Sequence, residues 1–361
     1  MTAADPAPGA PAEEILLHSL ALFAPCIVPA LELAGVRSVV EVGVEGGGMT
    51  AVLREYLERF DGCGTGIDPV PSPAARAAYA ADRRLELLEA RSPAALEALD
   101  PADAYLLDGD HNHWTVLGEL RAIAAAAPAG HPLVFVHDAG WPAGRRDQYY
   151  DPGALPPAGV LPHTFTEGVR PGLRTTVVGG FRGEGAFAWA IDEGGPANGV
   201  RTAIEDFVAE HPRFRWKLVP ALFGLAVLWP DDAPWAADLE RHLADWVDHP
   251  VLAAMEANRI ELYLRVLDLQ DALGEAGVAG GARLRAENAR LRARVADLEA
   301  RLDTVRTEAE AMGYLKALRI VDVVERVARR RRPGVTLRRR IGSLAETATP
   351  EPDRVDPEAT G

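Results

Sequence analysis

Residues 38–60 read SVVEVGVEGGGMTAVLREYLERF, and three features of this stretch set the fold. Ser38–Val42 is a run of mostly β-branched residues with one acid, the composition of a strand buried on both faces. Gly43 and Gly46–Gly48 follow at once. Glycines at the end of a parallel strand let backbone approach a ligand that a Cβ would exclude. Thr50–Phe60 then repeats apolar residues at helical spacing. Strand, glycine turn and helix together form the opening unit of a doubly wound sheet.

The same alternation recurs downstream. Gly64–Ile67 is a second strand ending at Asp68, Pro73–Ala81 a helix, Leu85–Leu88 a third strand, and Ser92 heads the next helix as its N-cap. Ala104–Leu107, Trp114–Ala127 and Pro132–Val136 continue the series, which predicts an α/β, doubly wound, mostly parallel sheet. Residues 139–197 break the rhythm with Gly, Pro, aromatics and arginine pairs, and the apolar runs TTVV and AFAWAI argue for a folded insertion. A helix at Val200–Glu210 leads to strands at Trp216–Val219 and Leu225–Trp229. Upstream, Ile15–Leu33 is apolar but interrupted by His18, Pro25, Pro29 and Glu32, so it reads as one or two helices and not as a membrane span.

The chemistry gathers at the strand ends. A dinucleotide site wants glycine where Glu45 stands, and an acid there repels a pyrophosphate. Glu41 suits a cofactor bearing an amino group, and Asp68 is placed to accept from ribose hydroxyls, with a turn cap as its plainer role. S-adenosylmethionine carries both groups, a positive charge and no phosphate. Asp108, Asp110 and His111 follow the fourth strand, and His137 and Asp138 follow the fifth. Three acids and two histidines at one edge repel one another unless a cation or proton is shared, and carboxylates suit Mg²⁺, Mn²⁺ or Ca²⁺. A hydrogen-bonded set of helix caps is the alternative. In the insertion, Trp141, Arg145, Arg146, Asp147, Tyr149 and Tyr150 offer stacking surfaces and forked donors for a polyhydroxylated or anionic acceptor, or else form a packed lid with surface arginines.

Glu41-Val42-Gly43 with Gly46–Gly48, Asp68, Asp108-Gly109-Asp110-His111 and His137-Asp138 resemble the class I S-adenosylmethionine-dependent methyltransferases over residues 30–230. More narrowly they are similar to the branch of macrocin-type sugar O-methyltransferases and cephalosporin-hydroxylase-like proteins. The resemblance implies a seven-stranded sheet closed by an antiparallel last strand, which the Trp216–Trp229 pair supplies. It implies a cofactor site of Glu41, Gly43, Gly46, Gly47, Asp68, Ser92 and Asp108, a metal set of Asp108, His137 and Asp138, and Asp110 as base with His111 as the alternative. Two departures stand out: the general pattern has glycine at position 45 and an acid at 137, and the histidine widens the metal from Mg²⁺ to Mn²⁺ or Fe²⁺. The implied activity is metal-assisted O-methylation of a saccharide or glycosylated small molecule. The rivals are a metal-dependent hydroxylase on the same scaffold and a non-catalytic coiled-coil scaffold with a vestigial methyltransferase domain.

The 361 residues carry 38 basic and 53 acidic side chains, a net charge of −15, which excludes nucleic-acid binding through a general field of the globular part. Two cysteines exclude a disulfide framework, and a cytoplasmic location is expected. Beyond His249, Leu252, Met255, Leu262, Val266, Leu269 and Leu273 form a first heptad block, broken where Arg259 takes a seam position and Ile260 lies one place off. Coiled coil and a helix packed on its own domain stand side by side for it. After Gly274–Gly281, a second block repeats Leu284, Leu291, Leu298, Val305 and Met312, with Asn288, Val295, Leu302 and Ala309 between them, which predicts a coiled coil and a homodimer. The arginine-rich segment 326–340 is a solvated tail or a contact for an anionic membrane or polyanion. The domains expected are a lead-in at 1–36, the methyltransferase domain at 37–232, a helical coiled coil at 250–325, and an arginine-rich segment and tail at 326–361.

Overall fold

Strand β1 (Ser38–Val42) lies inside the sheet, with Val39, Val40, Glu41 and Val42 all buried, so neither face of it meets water. The computed structural model describes residues 16–311, without the side chains of 275–283, 302, 305, 306 and 308–311. On one side of β1 lie β2 (Cys63–Ile67) and β3 (Leu85–Leu88); on the other lie β4 (Ala104–Leu107) and β5 (Leu133–Val136), all parallel. Beyond the insertion, β9 (Phe214–Val219) and β10 (Leu225–Pro230) complete the order β3-β2-β1-β4-β5-β10-β9, with β10 antiparallel to both neighbours. The parallel strands β1–β5 are what the alternating pattern predicts, and the closure to seven strands with an antiparallel one is what the resemblance implies.

Helices cover both faces. Helix α1 (Ala24–Ala34), α2 (Gly48–Phe60) and α7 (Ala236–Leu243) bury Ile27, Leu31, Leu53, Leu57 and Leu239 against Val39, Leu106 and Phe135. On the opposite face α4 (Ser92–Ala98), α5 (His113–Ala126) and α6 (Val200–Glu210) bury Leu96, Leu120, Ile123, Ile204 and Phe207 against Val40, Tyr105 and Val134. Helix α3 (Pro73–Ala80) packs Ala75 and Tyr79 beside Val44. Ser92 is the first helical residue of α4 and not its cap; Arg91 takes the cap position without a side-chain bond, and the Ser92 hydroxyl donates to Glu119.

The insertion is folded. Short strands β6 (Gln148–Tyr149), β7 (His163–Thr164) and β8 (Ala188–Ala190) form a three-stranded antiparallel sheet with β8 in the centre. Arg146, Asp147 and Tyr149, read from sequence as acceptor contacts, are interior instead. The Arg146 guanidinium donates to the carbonyls of Ala190, Ile191 and Arg174, where a buried cation satisfies backbone oxygens at the end of β8 and in the loops beside it. Asp147 accepts from the backbone of His113 and Gly199 and from the Tyr149 hydroxyl. Arg145 forks onto Glu205 at 2.6 and 2.7 Å.

The C-terminal part differs from the two-block expectation. Helix α8 runs unbroken from Pro250 to Ala311, through the glycine cluster. The first compact unit extends to Glu275, past the boundary that composition placed near Pro250, and a second begins at Ala276. In the first unit, Ile260, Leu264 and Leu267 are buried against Trp141 and Phe181, whereas the seam residues Met255, Leu262, Leu269 and Leu273 are exposed. The first block thus packs on its own domain, through residues that its heptad pattern leaves out. Met312 and the segments 1–15, 326–340 and 347–361 lie outside the described residues. Among the described residues no helix is long and apolar enough to cross a membrane.

Candidate active site

The carboxyl ends of the parallel strands stop level with one another. The first residue past each strand continues the ladder: Gly43 N–H donates to Ile67 O, Asp68 N–H to Leu88 O, Asp108 N–H to Val42 O and His137 N–H to Leu107 O, at 2.9 to 3.1 Å. Gly43, Asp68, Asp108 and His137 are therefore lined up along one edge by backbone hydrogen bonds. Gly43 has φ +80°, and a Cβ there would come within 2.2 Å of the Asp108 carbonyl oxygen, so only glycine lets the β1 and β4 turns pass. Around a Cβ at Gly46 there is open space, and Gly47 caps α2 from the left-handed region.

The cofactor candidates have separate local duties. Asp68 accepts from Val70 N–H at 2.8 Å and from Val44 N–H at 3.2 Å, tying the second turn to the glycine loop. Its turn-capping role is thus present. Glu41 is only 2% exposed, and its Oε2 accepts from the Thr50 and Tyr79 hydroxyls at 2.7 and 2.8 Å. Burial pushes its carboxyl up to about 7, against the pull of those two hydroxyls. Ser92 is buried, with its hydroxyl turned to Glu119. Burial pushes Glu119 up to about 8.

Asp108, His137 and Asp138 come together, each offering one ligand atom within 4.8 Å of the others. His137 Nδ1 lies 2.8 Å from Asp108 Oδ1 and 3.2 Å from Asp138 Oδ2. Its Nε2 lies 2.9 Å from the Leu222 carbonyl, which can only accept, so Nε2 carries a hydrogen. Burial pushes the imidazole pKa down, but the two carboxylates outweigh it and raise it well above its ordinary value. Burial likewise raises Asp138, while His111 and His137 hold its carboxyl down at about 2. His111 is buried, with Nδ1 3.5 Å from Asp138 Oδ2. Asp110 Oδ2 accepts from Asn112 at 2.6 Å; Oδ1 is buried with no hydrogen bond, and burial pushes this carboxyl up. Of the insertion residues, Tyr150 reaches this cluster: half exposed, its ring stands 6.0 Å from that of His111 and 6.1 Å from that of Phe187.

Sequence reasoning missed the support behind His137. Leu222 and Phe223 both adopt left-handed backbone (φ +48° and +67°), and their N–H groups donate to the Glu256 carboxylate of α8 at 3.0 and 2.8 Å. Arg259 forks onto Glu256 at 2.7 Å on both arms, covers the Phe223 ring at 4.4 Å and donates to the Leu17 carbonyl. The one visible signal was Arg259 itself, a charge in an apolar seam. A groove of about 450 Å³ lined by Arg201, Trp216, Lys217 and His249 shares no residue with this cluster.

Residues 40–139 match a family model described as a methyltransferase domain. No curated protein matches the chain. Among solved structures, it is similar to the methyltransferase PaMTH1 of Podospora anserina bound to SAH, at 16% identity and TM-score 0.37, covering 61% of this chain and 82% of that one. Cofactor-bound Rv0187 from MTB is similar at 14% identity and TM-score 0.38, covering 59% and 81%. NcsB1, an O-methyltransferase of neocarzinostatin biosynthesis in complex with S-adenosylmethionine and 2-hydroxy-5-methyl naphthoic acid, is similar at 18% identity and TM-score 0.31, covering 58% and 56%. Likenesses at these scores decide nothing about the reaction. The family match does bear on it: residues 40–139, from β1 through His137 and Asp138 after β5, are similar to a methyltransferase domain.

Proposed function

We propose that this protein is an S-adenosylmethionine-dependent O-methyltransferase whose acceptor hydroxyl, on a saccharide or glycosylated small molecule, is activated by a divalent cation. The observation that carries the reading is the Asp108–His137–Asp138 set beside the glycine turn. The donor chemistry fits a cation: Nε2–H is committed to Leu222 O, so Nδ1 and one oxygen from each carboxylate face a common point. A ligating histidine that donates its other N–H to a backbone carbonyl is the usual outer-shell arrangement of a metal site. A proton held between the three groups occupies that point otherwise. Bound there, Mg²⁺ or Mn²⁺ would lower the pKa of a coordinated hydroxyl and fix its direction.

Gly46 leaves room for the methyl donor at the turn that Gly43 and Gly47 shape, with Asp68 and Asp108 as the carboxylates beside it. The acceptor oxygen forms its bond to the methyl carbon as the carbon–sulfur bond breaks, and the sulfonium becomes a thioether. The hydroxyl proton passes to Asp110, whose buried Oδ1 has no other partner, with His111 as the alternative base. A carboxyl lifted by burial is the stronger base for this transfer. Tyr150 stands at the mouth as a stacking surface for the acceptor.

The test is transfer of labelled methyl from S-adenosylmethionine to a panel of glycosides, with Mg²⁺ or Mn²⁺ and with EDTA. Transfer that EDTA abolishes and Asp138→Asn removes is expected. Oxygen uptake with Fe²⁺ in place of methyl transfer would overturn the reading in favour of a hydroxylase. Failure to bind S-adenosylhomocysteine in a calorimeter would overturn it in favour of a non-catalytic module.

A further inference from the structure

From Ala276 onward, helix α8 belongs to a second unit, and one strip of its described side chains is apolar and uncovered. Leu284, Leu291, Val295 and Leu298 are 63%, 54%, 53% and 51% exposed, and exposed Asn288 stands in the same strip. The steps from 284 to 288, 291, 295 and 298 alternate between four and three. A strip of that period stays in line only when the helix winds around a partner, because a straight helix drifts off it by roughly 20° per heptad. A helix that buries no face has little to hold it in water.

The side chains say what covers the strip. Leu284, Leu291 and Leu298 fall at one inner position (d) and Asn288 and Val295 at the other (a), and valine at a with leucine at d favours two parallel strands. Asn288 decides between partners. In a parallel, in-register pair its amide meets a second copy of itself and both are hydrogen-bonded. An antiparallel pair sets a against d and leaves the amide against leucine, at the cost of an unpaired buried group. The flanks agree. In register, Glu287 lies against Arg292 of the second copy and Arg294 against Glu299, two pairs of opposite sign doubled by symmetry. The next pair by sequence, 301 with 306, is Arg with Arg; Arg301 is bound along its own helix by Asp297 at 3.0 Å, which offsets its charge.

We propose that residues 284–305 form a parallel, in-register, two-stranded coiled coil with a second copy of this chain, with Asn288 against Asn288. The inference does not depend on the catalytic reading.

The test uses the full chain with Cys63→Ser, because Cys63 is exposed while Cys26 is buried. Light scattering at micromolar concentration should give twice the chain mass; a monomer or a trimer overturns the proposal. Asn288→Cys should then form a covalent dimer on mild oxidation, since inner-position Cα atoms of an in-register pair fall within disulfide range, about 6 Å. Arg290→Cys, on the outer side, should not. A dimer in which Asn288→Cys fails to cross-link, its helix content intact by circular dichroism, overturns the register. Glu287→Arg should weaken the dimer about tenfold, and adding Arg292→Glu should restore it. A double variant no tighter than the single one overturns the parallel pairing of charges.

Discussion

Gly43 and Gly46 belong to one turn and answer to different constraints. Gly43 needs a left-handed backbone, and its missing Cβ leaves room for the Asp108 carbonyl, so Gly43→Ala should cost about 3 kcal/mol or more, read as a lowered urea midpoint. Gly46 has neither a positive φ nor a neighbour within 4 Å, so Gly46→Ala should leave that midpoint nearly unchanged and act on ligand affinity alone. Equal destabilisation by both would show that the turn is shaped by something other than this close approach. Glu41 gives the residue scale a pH signature. Unfolded, its carboxyl titrates near 4.5; folded, burial holds it at about 7. Between those values the folded chain keeps a proton that the unfolded chain has lost, so its contribution is favourable below 4.5 and is lost as pH rises through 7. Glu41→Gln removes that slope. Its unfolding free energy relative to the parent should climb from pH 4.5 to above 7, and parallel pH curves would show that the carboxyl titrates normally.

At the scale of elements, the site rests on a helix whose sequence left coiled coil and packing on its own domain side by side. Glu256 accepts both N–H groups of the strained turn whose Leu222 carbonyl receives His137 Nε2–H. Glu256→Ala should therefore let that turn relax and release the imidazole, weakening Mn²⁺ binding about tenfold by calorimetry, while Glu256→Gln keeps an acceptor and most of the affinity. Equal loss in both variants would mean that the charge toward Arg259 matters and the turn does not. The sheet was legible in the sequence because strands buried on both faces are continuous apolar runs, and Asp108 and His137-Asp138 were legible because they stand directly after such runs. Glu256 was not, since its turn lies 33 and 34 residues away and periodicity carries no information about contacts at that distance. Arg146 was misread for the same reason: a guanidinium looks like a ligand donor until the loop carbonyls 27 to 45 residues on are folded around it. Ser92 shows a second kind of failure. Its type suits a helix cap, but Glu119 on the neighbouring helix claims the hydroxyl.

For the whole molecule the question is where the catalytic unit ends. Composition changes near Pro250, yet Ile260, Leu264 and Leu267 are buried against Trp141 and Phe181, and Arg170 and Arg182 of the insertion pair with Asp268 and Asp271. Losing the burial of these three large apolar side chains costs about 6 kcal/mol at the upper estimate. A domain of this kind has roughly 5–15 kcal/mol in all. The ion pairs, only partly buried, add little to that sum. A chain ending at residue 249 should thus be marginal: a melting temperature lowered by many degrees, or insoluble expression, with Glu256 and its hold on the Leu222–Phe223 turn lost as well. A chain ending at residue 275 keeps every one of these contacts and lacks the strip from Leu284 to Leu298, so it should melt close to the full chain and sediment as a monomer. Differential scanning calorimetry and sedimentation velocity on the two truncations check both halves. An equally stable 249-residue chain would mean that the first part of α8 lies on the domain without supporting it. A 275-residue chain that still dimerises would place the interface on the globular unit.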